Sequence, residues 1–144
     1  MDRLDQKIIA ALASHARISL KDLAAAVGLA SPSAAERLKR LEERGVITGY
    51  TVVAAPDLLG FPLQAIVRIN PLPGLLKEVE RLVEATPQIV ECDRVTGEDC
   101  FVARVFCKSM DDLDLVLEPF HDRARTNTSI VKGQSVKRRL PPFA

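Results

Sequence analysis

The sequence predicts an α+β chain in two parts, helical at the N-terminus and alternating between strands and helices toward the C-terminus. Three observations carry this expectation. Apolar residues recur at helical spacing between capping signals as far as Arg44. After Gly45 the stretch VITGYTVVAA turns β-branched and aromatic. From Leu63 onward a strand-like alternation and a helix-like stripe appear twice in succession.

Residues Met1 to Ser14 place Leu4, Ile8, Ala11 and Leu12 on one helical face, with Asp2, Asp5 and Gln6 on the polar one. Ser19 and Asp22 have the spacing of a capping box, so a second helix should start at Leu20, with Leu23, Ala24 and Val27 as its stripe. Gly28 stands where a left-handed residue ends that helix. Ser31 followed by Pro32 then reads as a cap and first turn, because proline lacks the N–H that a first turn leaves unused. A third helix is expected from Pro32 to Arg44, with Ala34, Leu38 and Leu41 inward and Ser33, Glu36, Arg37, Arg40 and Arg44 outward. Leu4, Ile8, Leu12, Leu20, Leu23, Val27, Leu38, Leu41 and Ile47 should form the shared interior of this helix-turn-helix arrangement. VITGYTVVAA adds a short strand pair or wing.

DLLGFP, residues 57–62, is a connector, and we place the domain boundary there: residues 1–60 as a winged helix-turn-helix domain, residues 61–144 as the second. Leu63 to Ile69 alternates apolar and polar residues, and Leu75 to Val83 is an amphipathic helix stopped by Thr86-Pro87. Ile89 to Val95 and Cys100 to Cys107 are strands joined by a short hairpin. Ser109 and Asp112 cap a helix bearing Leu113, Val116, Leu117 and Phe120, and Thr126 to Val131 closes the sheet. Strand-helix-strand written twice is the ferredoxin-like βαββαβ arrangement. Its helices cover one face. The other, expected to carry Val90, Cys92, Phe101 and Ala103, would be buried most economically against a second copy.

Composition narrows the function. With 144 residues and 47% hydrophobic content the chain suits one ordinary domain or two small ones. It has no apolar run near the roughly 20 residues that span a bilayer, and MDRLDQK has no signal-peptide core, so a cytoplasmic protein without membrane partners is expected. Cys92, Cys100 and Cys107 lack metal-like spacing, only His15 and His121 are present, and no nucleophile–base pair or phosphate-cradling glycine loop occurs. No enzyme activity, metal or cofactor is therefore expected.

A short helix with a hydroxyl residue near its N-terminus and arginines farther along suits insertion into a DNA major groove. An ordinary amphipathic surface helix would look similar, and helix-turn-helix shapes also occur in proteins that bind no DNA. Net charge is only +1, so a groove reader of this composition must concentrate its positive charge locally. Lys132, Lys137, Arg138 and Arg139 form a second basic cluster, which reads equally well as a solvated tail.

Over nearly its full length the sequence resembles the Lrp/AsnC (leucine-responsive, feast/famine) transcriptional regulators. The likeness runs from LDQKIIAAL through RISLKDLAAAVGLASPSAAERLKRLEERGVITGYTVVAAPDLLG to VTGEDCFVARV. It implies a sequence-specific DNA-binding domain followed by a domain that dimerises, assembles further to tetramers or octamers, and binds a small effector, usually an amino acid. By this resemblance Ser31, Ser33, Arg37, Lys39 and Arg40 lie where the family places its DNA contacts. Thr96, Gly97, Glu98, Asp99 and Cys100 of the hairpin, with Thr126 and Thr128 of the last strand, lie where it places the effector pocket. Two departures stand out. The family often has serine where this chain has Ala30, so the third helix should begin one residue later, and it often has aspartate where this chain has Cys100. Beside this stand two rival readings: an architectural protein that bends DNA with little sequence preference, and a stand-alone metabolite sensor.

Overall fold

The computed structural model describes residues 1–143. The chain divides into two compact units, Met1–Val52 together with the terminal stretch from Val136, and Val53–Ser135. The expected boundary near residue 60 lies inside the second of these.

The first unit contains α1 (Arg3–Ser14), α2 (Leu20–Val27) and α3 (Ser31–Glu43). Asp2 caps α1 by accepting from the Leu4 and Asp5 amides at 2.9 Å, and the Asp5 carboxylate accepts from the Asp2 amide in return. Ser19 caps α2, accepting from the Asp22 amide at 3.1 Å and donating to the Asp22 carboxylate. Gly28 ends it at φ 74°, ψ 38°, a left-handed conformation that only glycine adopts without strain. Ile8, Leu23, Val27 and Leu41 form the buried centre, packed by Leu12, Ile18, Leu38 and Ile47 among others.

Four expectations for this unit need correction. The cap of α3 is Ala30, in extended conformation and without a side-chain hydrogen bond, so Ser31 is the first helical residue rather than the cap. Leu20 is 42% exposed, because the opening turn of α2 reaches past the core. Asp5 is buried, not displayed on a polar face. Residues 46–55 contain no strand: nearby backbone in the chain offers no ladder partner, and Val52 and Val53 are almost fully exposed.

The second unit runs β1 (Leu63–Pro71), α4 (Leu76–Ala85), β2 (Ile89–Arg94), β3 (Phe101–Cys107), α5 (Met110–Leu117), a single 3-10 turn and β4 (Ala124–Ile130). All pairings are antiparallel, in the order β2-β3-β1-β4. Ser109 caps α5 as expected. The register opposes Ala65 to Val105, Val67 to Ala103 and Ile69 to Phe101, and these side chains pack with Val79, Leu113, Leu117 and Phe120 of the helical layer. Phe101 and Ala103 therefore face the helices, which overturns their expected place on the open face. That face instead alternates Ile66, Val102 and Phe106 with Gln64, Arg68 and Arg104. Val90 falls in a β-bulge between Ile89 and Glu91 and is exposed.

Candidate functional site

The expected DNA-contacting residues divide by their position around α3. Ser33, Lys39 and Arg40 are exposed, while Ser31 is half-buried at the first helical position. Lys39 approaches Glu43 at 3.6 Å one turn along, an exposed pair that leaves its ammonium available to a stronger anion. Arg40 has no ion-pair partner among the described residues. Ala34 and Leu41 seat the opposite side of the helix in the core.

Arg37 is different. Its guanidinium donates to Asp2 at 2.7 Å and to Asp5 at 2.8 Å, tying α3 to the first turn of α1. The Asp5 amide bond and then the Arg37 guanidinium hold the Asp2 carboxyl below its ordinary range, and the two carboxylates raise Arg37. Arg37 is therefore not a free cation on α3: both acids accept from its Nη1, and it turns toward α1. The aspartate pair on α1 was the signal available in the sequence, since D-x-x-D at a helix start leaves two carboxylates beside an incoming cation. At the far end of α3 the Tyr50 hydroxyl donates to Glu42 at 2.6 Å, which fixes the departing chain.

The expected effector residues do not converge. Thr96 to Asp99 form a hairpin loop, exposed as far as Glu98 and half-buried at Asp99, closed by the Val95 amide donating to the Cys100 carbonyl at 2.9 Å, with Gly97 at φ 114°. Thr126 and Thr128 oppose Ile69 and Val67, and so belong to the side of the sheet that the helices cover. Asp99 instead meets Arg68, at 3.7 Å, and Arg68 donates to Asn127 at 2.9 Å. Arg68 and Asn127 are thus the neighbours that sequence reading missed. They belong to β1 and β4, where the register alone brings them opposite one another. Cys100 packs against the core, and Cys107 is fully buried, its thiol pushed up to about 11 by burial and the Asp112 charge. Cys107 is therefore not a poised nucleophile.

Two family models match the chain. Residues 1–48 match a winged helix-turn-helix DNA-binding model, and residues 64–141 match the Lrp/AsnC ligand binding domain. The chain belongs to the Lrp/AsnC family. It is 33% identical over 118 residues to the HTH-type transcriptional regulator FL11 of Pyrococcus furiosus, covering 82% of this chain and 78% of that one. Among solved structures it resembles Bacillus subtilis LrpC, with a TM-score of 0.90, 25% identity and coverage of 96% and 99%. It also resembles a feast or famine regulatory protein from M. tuberculosis complexed with L-methionine, with a TM-score of 0.89, 29% identity and 97% coverage of each chain. It is accordingly a DNA-binding transcriptional regulator and not an enzyme. No helix among the described residues is long and apolar enough to cross a membrane.

Proposed function

We propose that the protein reads a specific duplex with the exposed Ser33–Arg40 side of α3 and adjusts that binding to an amino acid held by the second unit. The observation that carries the reading is the left-handed turn at Gly28, which joins α2 to an α3 whose free hydroxyl and cations all lie opposite its buried residues. Ser33 and Arg40 contact base edges, and Lys39 and Ser31 contact backbone phosphates. Arg37 positions α3 against α1 rather than touching DNA. Two such helices in a homodimer, assembling further to tetramers or octamers, would read half-sites one helical turn or a multiple apart, about 34–36 Å per turn.

For the effector, Asp99 and Arg68 supply one carboxylate and one guanidinium at the foot of the β2–β3 hairpin. These are the partners that an α-ammonium and an α-carboxylate need, and the methionine complex of the M. tuberculosis relative supports the same ligand class. The reading is tested by selecting bound sequences from a random duplex pool and footprinting them with and without each of the twenty amino acids. A spaced, two-fold-related site whose occupancy changes with at least one amino acid is expected, and loss of preference with Arg40→Ala. Uniform retention of all sequences would replace it with the architectural reading. A site insensitive to every amino acid would remove the effector.

A further inference from the structure

The near-neutral charge of the whole chain conceals a strong division. Met1–Val52 carries eight lysines and arginines against six acids, and the stretch from Val136 adds Lys137, Arg138 and Arg139 with no acid. Val53–Ser135 carries nine basic residues against thirteen acidic ones. The formal balance is therefore +5 on the first unit and −4 on the second, and the terminal residues supply three of the five positive charges.

The terminal basic residues also group with the helix-turn-helix unit, not with the sheet from which the chain emerges. Leu140 and Phe143 follow them at 49% and 40% exposure, so both cover part of their apolar surface. Pro141 and Pro142 stiffen the stretch between them. Lys137, Arg138 and Arg139 are themselves exposed and have no ion-pair partner among the described residues. Within α3, by contrast, Arg37 is neutralised by Asp2 and Asp5, and Lys39 lies beside Glu43. The terminal stretch thus carries three of the unit's five net positive charges with no acid in its own sequence, while within α3 only Arg40 is left without an ion-pair partner among the described residues.

We propose that Lys137, Arg138 and Arg139 form a second DNA-contacting element that binds backbone phosphates beside the groove entered by α3. The assignment departs from the family match, in which residues up to 141 belong to the ligand-binding domain. It rests on the reading of α3 as the groove helix. Phosphate contacts of this kind add affinity for every sequence and no preference among them.

The test uses the full chain with Lys137→Gln, Arg138→Gln and Arg139→Gln combined, titrated by fluorescence anisotropy against a selected duplex and a scrambled one at 50–200 mM salt. The slope of log affinity against log salt should fall by about 0.9 for each phosphate that the variant no longer neutralises. Affinity should drop by a similar factor on both duplexes, leaving their ratio unchanged. A charge-keeping Arg138→Lys, Arg139→Lys variant should retain the parent slope. An unchanged slope in the triple variant overturns the proposal, and so does a loss confined to the selected duplex. If the triple variant loses its circular dichroism, Arg138→Gln and Arg139→Gln alone, each expected to lower the slope, decide the matter. Should the parent protein prefer neither duplex, the α3 reading fails while the slope comparison still stands.

Discussion

The two units are held together by different means. Among the described residues the sheet unit has fourteen buried side chains in one continuous apolar core, whereas the helix unit's cluster has four. The helix unit adds to its small core a polar frame: the Asp2–Asp5 capping box, the Ser19 cap, the Gly28 turn and the Arg37 clamp. A surface that must display cations and hydroxyls has little apolar material left to bury, so local hydrogen bonds supply what packing lacks. The sheet unit has no such constraint on its helix-covered face.

Native-state hydrogen exchange, which reads the units separately, can break this comparison. Phe120 is fully buried among the sheet unit's core side chains, and Phe120→Ala should lower protection of the β1 and β3 amides by about 3–5 kcal/mol. Leu41→Ala should cost about 2–5 kcal/mol in the helix unit, where it removes one of four central side chains and so takes a larger share of the unit's stability. Protection of α1–α3 should collapse while β1 and β3 keep theirs. Equal losses in both units from either variant would show a single cooperative body and end the contrast.

The polar frame comes next. Asp5→Ala removes both the return half of the capping box and one carboxylate of the Arg37 clamp, and should lower α1 and α3 protection by about 1–3 kcal/mol. The same frame should be acid-sensitive. Asp2 is held below its ordinary 3.8, so its contribution is complete above that value and disappears as pH falls through the lower folded value. Exchange or near-ultraviolet signals from the helix unit should weaken below about pH 4, with the transition reduced in Asp2→Asn. An acid response identical in Asp2→Asn and the parent would exclude the capping carboxylate as its source.

Much of the architecture was legible because helix caps and alternation are local signals. Ser19-x-x-Asp22, Gly28, Thr86-Pro87 and Ser109-x-x-Asp112 each mark a boundary close to where the structure has it. What escaped depends on which neighbour a residue meets. The orientation of Arg37 is decided by the position of α1 beside α3, which spacing along α3 does not encode. In FVARVFC nearly every residue is apolar, so alternation fails to distinguish the two faces of β3. The lone Arg104, opposite Ile66, was the residue that assigns Val102 and Phe106 to the open side. Arg68 and Asn127 were unreadable as partners because 59 positions separate them and only the β1–β4 register joins them.

The smallest expected effect concerns the place where this chain departs from the usual serine. Ala30 already has the extended backbone of a helix cap, at φ −72° and ψ 147°, but offers no oxygen to the first turn of α3. Pro32 removes one of the free N–H groups there, and the Ser33 amide at the third helical position is the donor that a cap hydroxyl would reach. Ala30→Ser should therefore raise α3 protection by about 1 kcal/mol without disturbing the fold, since no backbone angle has to change. Added to Asp5→Ala, it should recover part of what that variant loses, because both act on the frame that holds α3. A cap that stabilised the parent but gave nothing back to Asp5→Ala would mean that α3 detaches from α1 once the clamp is gone, and that packing alone does not hold the recognition helix.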